Sequence, residues 1–206
     1  MKNARRHFRH AGLAGALMVL IEMAAMPQVK GDELASALIA KGPQATLAGS
    51  NALMYAPLIG DWKLRVVDHG EGGRKHEYTG ELLFRWVLEG RATQDLWIAP
   101  PRDRRGPAGP PIPAGENFFG TTLRVYDPAQ DLWRITWIHP LEGVRKDLIG
   151  KRQGEEIVHD GKDGDGHPIR WIFSDLSRDS FRWRGEQSPD EGKSWTLVSE
   201  VFGSRK

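Results

Sequence analysis

The 206-residue chain fits one domain plus a short extension, and its 39% hydrophobic and 27% charged residues are ordinary for a globular protein. It contains no cysteine, which excludes disulfides and thiol chemistry and leaves the redox compartment unreadable. The net charge of +2 arises in the first 26 residues, where Lys2, Arg5, Arg6 and Arg9 outweigh Glu22. Residues 27–206 are close to neutral and lack the concentrated basic surface that nucleic-acid binding depends on, so no nucleic-acid partner is expected.

Two readings of residues 1–26 stand side by side. Met1–His10 is basic, Ala11–Ile21 is an apolar run of signal-peptide length and too short to span a bilayer, and Arg5-Arg6-His7-Phe8 resembles the core of a twin-arginine export signal. Against export, Glu22 interrupts the apolar run, Pro27 disfavours cleavage after Met26, and the small-residue site Ala35-Ser36-Ala37 lies far downstream. The second reading is a misassigned start, with translation beginning at Met18, Met23 or Met26. That start implies a cytoplasmic protein, whereas a leader implies the periplasm or the outside. No transmembrane segment is expected, and the oligomeric state is not legible.

Residues 27–56 read as a helical extension. Leu34, Leu38 and Ile39 recur at helical spacing within 32–41, with Gly42-Pro43 as the stop, and a second short helix is expected over Leu47–Tyr55 before Pro57. From Leu58 the hydrophobic period changes to two. Strands are expected over Trp62–Val67, Glu77–Leu88 (bending at Gly80), Ala92–Ile98, Phe119–Tyr126 and Leu132–His139. Further strands are expected over Val144–Arg152, Glu156–His159, Pro168–Ser174, Ser180–Glu186 and Ser194–Phe202, and the proline-rich stretch 100–115 is a rigid excursion between two of them. The fold class is therefore all-β: a single antiparallel meander β-barrel of about nine to ten strands over 57–206, closed because closure removes exposed edges.

Alternation assigns the faces. Trp133, Ile135, Trp137 and His139 share one side of their strand, as do Ile169, Trp171 and Phe173, Phe181 and Trp183, and Tyr78, Leu82, Phe84 and Trp86. Arginines occupy the opposite sides. Burying one large apolar side chain is worth roughly 1.5–3 kcal/mol, so the aromatic side is placed inside.

Gly60-Asp61-Trp62, opening the first strand after a helical lead-in, resembles the Gly-x-Trp signature of the calycin superfamily, the lipocalin and fatty-acid-binding barrels. Gly120-Thr-Thr-Leu-Arg-Val-Tyr126-Asp127-Pro128 followed by Trp133 and Trp137 is similar to uncharacterised bacterial calycin-like proteins, as is Phe181-Arg-Trp183-Arg-Gly-Glu186-Gln-Ser188 leading to Gly192-Lys-Ser-Trp195. The likeness covers about residues 57–206. It implies a barrel closed at one end by the first-strand tryptophan, with room for a cavity at the other, and it brings no settled activity.

In such a barrel the inward residues Trp86, Trp97, Trp133, Trp137, Trp171 and Trp183, with Asp95 and His139 as polar members, either fill a solid core or line a pocket for a small hydrophobic or amphipathic ligand. The solid-core reading makes the protein an interaction module. An enzyme on the same cavity, an isomerase, hydratase or hydrolase, would use Asp95 and His139 as acid and base, provided the two share a substrate. A third arrangement lines the lumen with Arg124, Arg134, Arg170, Arg182 and Arg184, which suit carboxylate or phosphate; fatty-acid-binding barrels use late-strand arginines in this way.

Neither a cofactor nor a metal is expected. Haem-binding nitrobindin-like barrels also open on Gly-x-Trp, but their iron ligand is a histidine near the C-terminus, and no histidine follows His167. His69, His76, His159 and His167 are read as lying in or beside turns without paired ligand spacing. Asp160–Gly166 looks like a calcium loop, but Lys162 takes a ligand position, and in the other register Ile172 stands where a bidentate glutamate is required. Gly192-Lys193-Ser194 ends like a phosphate loop, yet Gln187 stands where its first glycine belongs.

Overall fold

The computed structural model describes residues 32–106, 112 and 116–206. The expected leader and much of the proline-rich excursion fall outside that range. Ten antiparallel strands follow one short helix, α1 (Asp32–Leu38). They are β1 (Gly60–His69), β2 (Lys75–Val87), β3 (Ala92–Ala99), β4 (Phe118–Asp127), β5 (Leu132–His139), β6 (Val144–Gln153), β7 (Glu156–Lys162), β8 (Pro168–Ser174), β9 (Ser180–Gln187) and β10 (Thr196–Arg205). Each strand pairs with its neighbour in sequence, and β1 pairs with β10, so the meander is a closed barrel. The closing register sets Trp62 opposite Arg205 and Val66 opposite Val201.

The second helix expected over Leu47–Tyr55 is replaced by successive turns, followed by a single 3₁₀ turn at Ala56–Leu58. The apolar residues there serve burial inside the barrel end and not a helical face. Met54, Tyr55 and Leu58 are each at most 1% exposed, and Asn51 ties the segment to the sheet. Its side chain donates to the Asp131 carbonyl at 2.7 Å and accepts from the Arg152 backbone N–H at 2.7 Å, while its own carbonyl accepts from the Trp133 indole at 2.8 Å. Residues 51–58 thereby seal the end at which β1 starts.

Trp62 completes that seal. It is fully buried, meets Phe181 edge-on at 4.9 Å, and donates its indole N–H to the Leu58 carbonyl at 2.8 Å. The Arg205 guanidinium covers its ring at 4.1 Å. On the outer wall Glu81 is also buried. Burial alone would push its carboxyl up, but bonds from the Arg102 side chain, the Lys206 ammonium and the Arg102 backbone N–H outweigh it and hold the group at about 2. This single carboxylate fastens the β3–β4 connection and the C-terminus to β2.

Trp62→Ala should destabilise the barrel by about 3–5 kcal/mol, the cost of a large buried aromatic, with Trp62→Phe costing less. Urea unfolding followed by circular dichroism checks both.

Candidate functional site: a half-filled barrel with a polar floor

The lumen has two storeys. The lower one, toward the sealed end, is solid. Tyr55 packs edge-on against Trp133 at 5.0 Å, and Trp133 in turn meets Trp86 at 6.3 Å and Tyr126 at 5.4 Å. The upper storey holds a cavity of about 230 Å³ toward the end where the β1–β2, β3–β4, β5–β6, β7–β8 and β9–β10 connections lie.

Its wall is an aromatic collar. Tyr78 stacks parallel to Phe118 at 6.1 Å, and Phe118 stacks on His139 at 5.1 Å. The ring of contacts continues from His139 to Trp137 (6.2 Å), to Trp171 (6.2 Å), to Trp183 (6.0 Å) and to Trp97 (5.6 Å). Room for it is made by backbone: a Cβ at Gly120 would collide with the Trp137 indole, and one at Gly185 would lie 2.8 Å from the Trp183 ring. The Trp137 indole therefore leans over the neighbouring β4 and the Trp183 indole over its own strand, while Trp97 on β3 and Trp183 on β9 meet across the lumen.

The floor is polar and buried. Asp95 on β3 and Arg124 on β4 form an ion pair at 2.6 Å, with side chains only 4% and 3% exposed. The strand register sets Asp95 opposite Thr122, whose backbone N–H reaches the other carboxylate oxygen at 3.3 Å, and Arg124 follows two residues on, on the same face. The guanidinium also lies over the rings of Phe84 at 4.7 Å and Tyr55 at 5.1 Å. Such a charge is tolerable inside a barrel only because it is paired, hydrogen-bonded and set against aromatic faces.

His159 on β7 adjoins this pair, fully buried, with Nε2 2.7 Å from the Tyr55 hydroxyl. Burial and the nearby Arg124 charge hold its imidazole well below the usual histidine range, so it is neutral at pH 7. Burial pushes the Tyr55 hydroxyl far up, against the opposing charge and hydrogen bond of Arg124. It therefore keeps its proton. No acceptor among the described residues reaches Arg124 Nε or His159 Nδ1.

Among the eight residues singled out from the sequence, Asp95, Trp97, Trp137, Trp171 and Trp183 line the cavity. Trp86 and Trp133 are inward but belong to the solid lower storey. His139 stands in the collar, 2% exposed, with Nδ1 3.2 Å from Glu142 and Nε2 without a partner among the described residues. No hydrogen bond joins it to Asp95, whose two oxygens are taken by Arg124 and Thr122.

Two expectations are corrected. Arg124 points inward, whereas Arg134, Arg170, Arg182 and Arg184 lie on the outer wall and pair there with Asp127, Glu186, Glu200 and Glu156. The five arginines do not form one site. His159 is an interior strand residue and not a turn residue, because β7 runs on to Lys162. At the next turn Asp163, Asp165 and His167 offer ligand atoms within 4.8 Å of one another. The Asp163 carboxylate is already engaged there, accepting from the Asp165 and His167 backbone N–H groups.

Fold and site together define a ten-stranded closed antiparallel meander barrel with a partly filled aromatic lumen. No family model matches the chain, and no curated protein matches it. Among solved structures, the chain is similar to that described as the crystal structure of Rv2717c from M. tuberculosis, with a TM-score of 0.49 and 16% identity over 77% of this chain and 99% of that one. Among the described residues no helix is long and apolar enough to cross a membrane.

The Tyr55 hydroxyl keeps its proton and lies 2.7 Å from His159 Nε2; donated there, that proton leaves the imidazole proton on Nδ1. Nitrogen-15 NMR should therefore find His159 as the neutral Nδ1–H tautomer at pH 7, staying neutral as the pH falls below the ordinary histidine value of about 6.5. A group whose folded pKa lies below its unfolded value of about 6.5 contributes stability that is lost as pH falls below about 6.5, so His159→Gln should flatten part of the acid limb of the stability–pH curve.

Proposed function

We propose that this protein binds a small, partly apolar molecule in the upper storey of its barrel. The observation that carries the proposal is the coexistence of an aromatic collar with a buried polar floor around a cavity of about 230 Å³. Ligand sites are mostly apolar with a few fixed polar groups that orient the guest, and apolar cavities of roughly 150 Å³ already accept a benzene ring. A solid interaction module has no use for a buried ion pair beneath a cavity. Catalysis by Asp95 and His139 draws no support from their separate bonding, so binding is the reading favoured.

The collar also supplies the readout. Four indoles face the site, so a bound guest should change their fluorescence. Native mass spectrometry of the protein from its own source should show an added mass that disappears on denaturation. Ser199, a small residue on the cavity wall, offers the control: Ser199→Phe should fill the space and abolish the adduct with a stability change of about 1–3 kcal/mol at most. An adduct that survives Ser199→Phe, or a bare polypeptide mass together with no fluorescence response to any aromatic probe, would contradict lumen binding.

A further inference from the structure

The charges facing the cavity cancel. Asp68 and Lys146 lie toward the mouth, and Asp95 and Arg124 form the floor. The guanidinium is matched at 2.6 Å by a carboxylate as buried as itself, so it offers no surplus positive charge to an incoming anion. A carboxylate guest would place a second buried anion beside Asp95, and an uncompensated buried charge is costly. What the floor does offer is hydrogen-bond donation. Arg124 Nε–H lacks an acceptor among the described residues, and so does His159 Nδ1, which carries the imidazole proton when the Tyr55 hydroxyl donates to Nε2. Both side chains are more than nine-tenths buried and both line the cavity. A buried donor left unmatched costs about 1–3 kcal/mol, so a guest that brings an acceptor gains more than its bare apolar area supplies.

We infer that the guest is an uncharged planar aromatic molecule with a hydrogen-bond acceptor, a carbonyl oxygen or ring nitrogen, set on Arg124 Nε–H and His159 Nδ1–H. Its ring system packs among Trp97, Trp137, Trp171 and Trp183. The inference rests on the binding reading above and adds the class of ligand. It separates this floor from one that would use arginine to hold a carboxylate, because here the arginine's charge is spent within the protein and only its spare N–H is available.

Three two-ring probes of matched size test it by isothermal titration calorimetry on the full chain at pH 7.5: quinoline, naphthalene and 2-naphthoate. Quinoline differs from naphthalene by one ring nitrogen, which is an unprotonated acceptor at this pH. Quinoline should bind about tenfold tighter than naphthalene, the gain of one net hydrogen bond, and 2-naphthoate should bind weakest. His159→Phe keeps a ring in place and removes one donor, so it should narrow the quinoline-to-naphthalene ratio; should that variant not fold, the probe ranking on the unaltered chain decides alone. Equal affinities for quinoline and naphthalene would overturn the inference while leaving lumen binding intact. Tightest binding by 2-naphthoate would overturn it in favour of an anion site. Binding of none of the three would remove the binding reading itself, and this inference with it.

Discussion

The Asp95–Arg124 ion pair is the constraint around which the lumen is arranged. A guanidinium inside a barrel loses most of its hydration, so its neighbours must answer for it. The β3–β4 register puts the carboxylate within 2.6 Å, Thr122 holds the carboxylate's second oxygen, and Phe84 and Tyr55 present ring faces to the cation. Tyr55 passes the network on to His159, which burial keeps neutral. The pair thus marks the level at which the barrel changes from solid core to cavity. Below it, apolar side chains interlock with the 51–58 segment; above it, the indoles border the cavity.

The upper storey follows from how large aromatics are accommodated on a pleated sheet. An indole pointing straight across a ten-stranded barrel would meet its opposite number and fill the space. Gly120 and Gly185 make room for the Trp137 and Trp183 rings, which still reach partners over the lumen: Trp137 on β5 meets Trp171 on β8, and Trp183 on β9 meets Trp97 on β3. Such geometry suits the quadrupoles of the rings, which together border the cavity of about 230 Å³. The same collar holds His139 between Phe118 and Trp137, so that residue reads as part of the wall and its packing.

Much of this fold was legible because strand alternation and turn residues are local. All ten strands lie within a few residues of their expected limits, and Leu132–His139 and Pro168–Ser174 coincide with β5 and β8. The site was less legible, for a geometric reason. Alternation tells which face a residue occupies but not its height along the barrel axis, so Trp86 and Trp133 could not be distinguished from Trp97 and Trp137. Arg124 was hidden by a misleading pattern: on β4 the outward residues include Phe119 and Val125, 38% and 44% exposed, while glycine, threonine and arginine face the lumen. Setting Tyr126 inward with Trp133, its partner across β4 and β5, would have turned Arg124 inward as well. The plug at Met54, Tyr55 and Leu58 depends on contacts to residues some eighty to a hundred positions away, which no local period reports.

The most direct test of this account is a high-resolution crystal structure with ordered solvent. It should show the Asp95–Arg124 pair intact beneath an open upper storey, with a water or guest atom about 3 Å from Arg124 Nε and His159 Nδ1. Side chains filling the space above the pair so that no water or guest fits there, or an Arg124 side chain turned to the outer wall, would contradict it.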